Sequence, residues 1–256
     1  MTRLEVKDLS VRRGSVDAIK SLSFELAAGT NLALVGPNGA GKTSLILAAL
    51  GLVDSTGTLR IDGQDPRTLA PKERVALCSY LPQGETSSED LRVIDAVMAG
   101  RIRFNEPRRL SRQKAESYLA ELRLEDLALR PLNALSGGQR QQVSLAALLA
   151  QEAKFAWLDE PANHLDPARR LEALEHIRER SHAHGMGVVV VTHDVSLLTA
   201  MGEELQVLGL KKGRQAFRCT VNDADLSEQL SELYERPVRA VEVEGQRVIT
   251  VLSGAR

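Results

Sequence analysis

The sequence predicts an α/β fold, a parallel sheet interleaved with helices and built around a glycine-rich loop. Three observations predict it. Short apolar runs at residues 31–35, 155–158 and 188–192 are bounded by polar or glycine-rich segments, as buried parallel strands require. Segments of helical spacing at 42–50, 141–151 and 167–183 lie between or beside them, and strands alternating with helices specify an α/β sheet. The junction after the first run has the form G-x-x-x-x-G-K-[ST].

Taken in order, Leu4, Val6, Leu9 and Val11 are apolar against largely polar neighbours and predict strands at the start. Residues 22–26 predict another strand, ending at the Ala28-Gly29 turn. The strand at 31–35 leads into the glycine-rich loop, and a helix follows at 42–50. Residues 75–81 predict a further strand. From about 91 to 129 the chain is rich in Arg, Glu, Leu and Ala with helical spacing, which marks a helical subdomain. Two strands are predicted at 238–252 around Glu244-Gly245-Gln246, in an appendage with no catalytic motif.

With 256 residues the chain can bury a sizeable core unaided, and 43% hydrophobic against 26% charged residues is ordinary for a globular protein. The 33 basic and 34 acidic residues nearly cancel, so no global field recruits nucleic acid. Cys78 and Cys219 fit no metal-ligand spacing and read as reduced thiols. No run approaches the ~18 apolar residues of a membrane span, and the N-terminus lacks the apolar core of a signal peptide. The chain is therefore expected to remain in the cytoplasm, with any membrane role supplied by a partner.

The phosphate-binding loop comprises Gly36, Pro37, Asn38, Gly39, Ala40, Gly41, Lys42 and Thr43, with Ser44 next on the helix. Its glycines let backbone N–H groups turn inward toward one anion, and the new helix adds the positive end of its dipole. Lys42 is expected to reach the terminal phosphates and the Thr43 hydroxyl to ligate Mg²⁺. The apolar run at 155–158 ends in two carboxylates, Asp159 and Glu160. Alternation along a strand predicts that they diverge, one serving a metal and the other a water. Asp159 is assigned to Mg²⁺ through its water shell, and Glu160 to polarising the attacking water. Leu135-Ser136-Gly137-Gly138-Gln139 precedes a helix and reads as a second anion site. One chain with two such sites calls for a second nucleotide.

The sequence resembles the ATP-binding cassette (ABC) ATPases, whose signature is the L-S-G-G-Q at 135–139. Other family motifs follow the same resemblance: Gln83 for the Q-loop, Asn163-His164-Leu165-Asp166 for the D-loop, and His193 for the switch histidine. The resemblance implies a RecA-like P-loop NTPase core with an antiparallel β subdomain and an inserted α-helical subdomain. It places the cassette domain at 1–215, with the helical subdomain at about 85–150, and leaves 216–256 as a short C-terminal extension ending in a small β hairpin. It implies two copies facing head to tail, each ATP held by the phosphate loop of one chain and by Ser136, Gly137, Gly138 and Gln139 of the other. Gln83 would sense Mg²⁺ and the γ-phosphate, and His193 would hold that phosphate and position the water beside Glu160. Arg13 aligns with the aromatic residue that stacks on adenine in the family, and a guanidinium can also stack on a base.

Within the family, Tyr80-Leu81-Pro82-Gln83, Val97-Met98-Ala99-Gly100-Arg101 and the tail Leu233-Tyr234-Glu235-Arg236-Pro237-Val238 resemble the importer ATPases for ferric siderophores, haem and cobalamin. The partners implied are a multi-span permease and, indirectly, a periplasmic or surface substrate-binding protein. The location implied is the cytoplasmic face of the cell membrane. Alternatives are a zinc or manganese importer, or a soluble ATPase of the iron–sulfur assembly type. Segment 101–114 carries Arg101, Arg103, Arg108, Arg109, Arg112 and Lys114 against Glu106, and reads as a solvated helical face or a contact with permease or anionic lipid.

Overall fold

The computed structural model describes residues 2–84, 90–163, 165–244 and 246–252. In chain order the first half contains β1 (Arg3–Arg13), β2 (Val16–Ala27), β3 (Asn31–Val35), α1 (Lys42–Ala49), β4 (Ser55–Ile61), α2 (Pro71–Leu77), β5 (Cys78–Leu81), α3 (Val93–Ala99) and α4 (Arg108–Glu121). The second half contains α5 (Gly137–Ala150), β6 (Phe155–Asp159), α6 (Pro167–His184), β7 (Gly187–Val191), β8 (Gln206–Lys211), β9 (Arg214–Thr220), α7 (Leu226–Tyr234), β10 (Val238–Val243) and β11 (Gln246–Val251).

The fully buried runs become the middle of the molecule. Every residue of β3, β6 and β7 is buried, which is why these strands read as continuous apolar runs rather than as alternation. They join a six-stranded sheet of order β5-β6-β7-β3-β8-β9. Neighbours from β5 to β8 are parallel, and only the edge strand β9 runs antiparallel. A second sheet, β2-β1-β4, is antiparallel. One apolar core, including Phe155, Trp157 and Leu45, lies between the two sheets and α1. The other joins the opposite face of the central sheet to α3, α4, α5 and α6. At about 1.5–3 kcal/mol for each large side chain fully buried, these two cores hold the layers together.

The predicted strand at 75–81 is shorter than the sequence suggests. Pro71 occupies the first turn of α2, and the Glu73 carboxylate accepts the Ala70 N–H at 3.1 Å. That arrangement starts a helix which claims Val75, Ala76 and Leu77, so the strand is confined to Cys78–Leu81. The helix predicted at 141–151 begins earlier, at Gly137. Ser136 caps it, its Oγ accepting the Gln139 N–H at 3.3 Å while Gln139 Oε1 accepts the Ser136 N–H at 3.0 Å.

The helical region is realised by α3, α4 and α5, while the first residues of its expected span, 85–89, lie outside the described residues. Its basic run is partly structural. Arg101 is 3% exposed and ion-pairs with Glu106 at 2.6 Å and Glu152 at 2.7 Å. Its guanidinium also donates to the Ala150 carbonyl and stacks on Phe104. Arg103 donates to the carbonyls of Gln151 and Glu152. Both arginines thus satisfy the end of α5, leaving Arg108, Arg109, Arg112 and Lys114 as the exposed cations of that run.

At the C-terminus, the boundary expected between 215 and 216 falls inside β9, which pairs with β8 along the central sheet. Helix α7 buries Leu226, Leu230 and Leu233. The hairpin β10–β11 adds Val238 and Ile249 to the same core as the helical region. The centre of its predicted turn, Gly245, lies outside the described residues, as does His164 of the D-loop.

Candidate functional site

The parallel sheet places its strand ends together, and the candidate residues gather there. Gln83 follows β5, the phosphate loop follows β3, Asp159 closes β6 with Glu160 next, and His193 lies just beyond β7. All of them line one cleft of about 860 Å³. A crevice outside the carboxyl ends of the strands is where open α/β sheets bind ligands.

The loop is seated by close backbone packing. Gly36 and Gly41 have φ of 150° and 108°. A Cβ at Gly36 would collide with the Leu210 carbonyl oxygen, and one at Gly41 with that of Ala18. The Gly213 N–H donates to the Ala40 carbonyl at 3.0 Å, tying the loop to the β8–β9 turn. Lys42 Nζ donates to the carbonyls of Gly36 at 2.6 Å and Pro37 at 3.2 Å. Burial lowers the Lys42 pKa, opposed by the Glu160 and Asp159 carboxylates. An anion in the cleft would therefore restore what burial withholds from the ammonium.

Thr43 Oγ1 lies 3.5 Å from Asp159 Oδ2. Burial, followed by the neighbouring Glu160 charge, raises the Asp159 pKa above the ordinary aspartate range. A hydroxyl and a carboxylate set side by side, with Gln83 on the same cleft, suit a small hard cation that takes its remaining oxygens from phosphate and water. Among the described residues no group of three or more His, Cys, Asp or Glu could hold a metal by itself. The donor set therefore fits a cation bound together with a phosphate ligand.

Glu160 departs from the strand logic that predicted its direction. It is not part of β6, and its φ is 54°, in the left-handed region. Its N–H donates to the Val191 carbonyl at 3.0 Å, and its carbonyl accepts the Asn163 N–H at 3.1 Å. A left-handed turn, rather than pleat alternation, thus separates Glu160 from Asp159. A non-glycine residue in this region costs on the order of 1 kcal/mol or more and is held by its surroundings. The Glu160 Oε1 atom lies 2.6 Å from His193 Nδ1.

Five expected residues lie outside this cleft, four of them assigned to the nucleotide of a second copy. Ser136 is exposed, and Ser136, Gly137, Gly138 and Gln139 do not line this cleft; they sit at the start of α5. Arg13 is also absent from the lining, to which the β1–β2 hairpin contributes Val16, Asp17, Ala18 and Lys20 instead. Lys212, Gly213 and Tyr234 complete the cleft, and sequence reasoning missed them. The Tyr234 hydroxyl accepts the Gly36 N–H at 3.1 Å across a separation of 198 residues, which no local spacing could reveal.

A family model described as ABC transporter matches residues 19–163. The chain is 31% identical over 255 residues to the probable iron chelatin transport ATP-binding protein of Helicobacter pylori, covering 97% of this chain and 99% of that protein. It is 36% identical over 233 residues to the hemin import ATP-binding protein of Streptomyces coelicolor, covering 90% and 82%. Among solved structures, a chain from an inward-facing conformation of a putative metal-chelate type ABC transporter superposes with a TM-score of 0.82 at 26% identity, covering 98% of this chain and 96% of that one.

Proposed function

Since the chain belongs to the ABC transporter family of ATP-hydrolysing proteins, we propose that it is the motor subunit of an importer, powering uptake of a metal chelate such as haem or a ferric siderophore through a separate membrane permease. The observation that carries the chelate assignment is the likeness to iron chelatin and hemin import ATP-binding proteins, which runs nearly end to end in the first case. Among the described residues no helix is long and apolar enough to cross a membrane, which supports a peripheral subunit held at the membrane by its partner.

The backbone N–H groups of the phosphate loop and Lys42 bind the phosphates of ATP. Thr43, Asp159 and Gln83 would hold Mg²⁺, which would neutralise phosphate charge when bound. Glu160 accepts the proton of the attacking water, and His193, braced by Glu160, holds the terminal phosphate in line. The exposed start of α5, with Ser136, Gly137, Gly138 and Gln139, serves the nucleotide of a second copy, so two chains close head to tail on two ATP molecules. ATP then favours the closed pair by its differential affinity for that state.

Closure is passed to the permease through the helical region. A groove of about 470 Å³ beside the Gln83 loop, lined in part by Tyr80, Leu91, Ala96, Ala99, Leu148 and Gln151, is suited to a cytoplasmic helix of the permease. A substrate-binding protein delivers the chelate on the opposite side of the membrane. The test is uptake by cells lacking this chain. One radiolabelled iron chelate should fail to accumulate while free zinc and manganese enter normally. Loss of zinc or manganese uptake with every chelate entering at the parental rate would overturn the cargo and leave the motor standing.

A further inference from the structure

Tyr234 is the last residue of α7 and reaches the nucleotide cleft from the far end of the chain. Its placement is rigid. The helix buries Leu226, Leu230 and Leu233, and Lys211 Nζ fastens the helix end through the Glu232 carbonyl and the Glu235 carboxylate. Within the last turn of α7, Ser231 Oγ accepts the Val238 N–H at 2.8 Å, fixing the turn into the hairpin. The ring is half-buried, and its oxygen accepts the Gly36 N–H at 3.1 Å. Gly36 is gripped on its other side as well, its carbonyl accepting from Lys42 Nζ. A phenol that accepts one hydrogen bond still carries a proton to donate, and among the described residues no protein atom takes it. The hydroxyl shares the cleft with Glu160, His193 and Gln83.

We propose that Tyr234 reads the terminal phosphate of bound ATP, keeping the Gly36 N–H as its donor and giving its own hydrogen to a phosphate oxygen. This rests on the cleft being the ATP site, and it makes the C-terminal segment part of that site. Occupancy by a triphosphate then tightens α7 and the hairpin, whereas a diphosphate leaves the phenol without its acceptor.

The test is calorimetric titration of the full chain and of its Tyr234→Phe variant with adenylyl imidodiphosphate and with ADP, magnesium present. The ring and its packing are kept. Loss of a hydrogen bond to a charged oxygen should weaken the triphosphate analogue about tenfold while ADP stays within about twofold. Equal weakening of both nucleotides would show that the hydroxyl serves only the loop, and no change would show that it gives no hydrogen bond to phosphate; either result overturns the proposal. Amide exchange of the unmodified chain gives a second reading that no misfolded variant can spoil. Residues 226–234 should exchange more slowly with the triphosphate analogue than with ADP, and equal protection would also overturn it. Should the unmodified chain bind neither nucleotide, the ATPase reading itself falls and takes this inference with it.

Discussion

His193 Nδ1 lies 2.6 Å from Glu160 Oε1, a contact that bridges the ends of the two adjacent parallel strands β7 and β6. The carboxylate is the inner member, with its side chain 9% exposed against 57% for the imidazole. The ring thus shields one oxygen and orients the carboxylate in the cleft.

Glu160→Gln should leave ATP binding within a few-fold of normal and lower turnover by ~100-fold or more, the scale of a lost general base. The amide oxygen still accepts from Nδ1, so the geometry survives and the basicity does not. Phosphate release measures the loss, and gel filtration with ATP should reveal a trapped dimer. Near-normal turnover would remove Glu160 from its role.

Ser136→Arg and Lys42→Ala chains should each be inactive alone and recover ATPase activity when mixed. A head-to-tail pair of the two has one intact site and one doubly damaged site. Since Ser136 also caps α5, the arginine variant loses about 1 kcal/mol of stability, and a melting curve must accompany the assay. No recovery at any ratio would argue against shared sites or require both to fire together.

Asp159→Asn should raise the melting temperature of the nucleotide-free, metal-free protein at pH 7. The raised pKa of Asp159 means that ionising it costs the folded state. That cost is absent below the unfolded aspartate pKa of ~3.9 and develops as pH rises through the unfolded and then the folded value. The gap between variant and parent should therefore narrow toward pH 4. An equal gap at both pH values would assign the effect to packing.

Arg101→Met should cost about 3 kcal/mol in urea unfolding, because Glu106 and Glu152 lose their buried cation. Lysine should not restore the loss, since it cannot reproduce the forked contacts and the stacking on Phe104.

Val16→Asp should raise the ATP Michaelis constant several-fold, because Val16 lines the cleft. Val16 is 63% exposed on the cleft rim, where a carboxylate would face a polyanion. Arg13 is the cross-strand partner of Val16, and a several-fold rise with Arg13→Ala would assign it to base stacking, whereas an unchanged constant would leave it solvated.

The site was legible in the sequence wherever chemistry and a secondary-structure junction coincide. The Gly36–Thr43 loop sits between a strand and a helix, and Asp159 and Glu160 close an apolar run, so position and residue type reinforce each other. Reading failed where geometry depends on distant chain. Arg13 aligns along β1 and pairs across the hairpin with Val16 on the cleft rim, yet is itself outside the lining, a distinction that alignment does not make. Strand β8 reads Gln-Val-Leu-Gly-Leu-Lys, without the period-2 alternation of a half-buried strand, and β9 is mostly exposed. The apolar spacing of Leu226, Leu230 and Leu233 was a usable helix signal for α7. Nothing local ties Tyr234 to Gly36.

The order of strands in the central sheet has a consequence for synthesis. The phosphate loop emerges early, but β3 pairs with β7 on one side and β8 on the other, and both come from the second half of the chain. Such long-range pairings must await residues that have not yet been made. A partly translated chain therefore carries its glycines and Lys42 without the wall formed by Leu210, Gly213 and Tyr234, and a fragment released early would have no working nucleotide site. Completion of the polypeptide, rather than appearance of the motif, is the event that arms the motor.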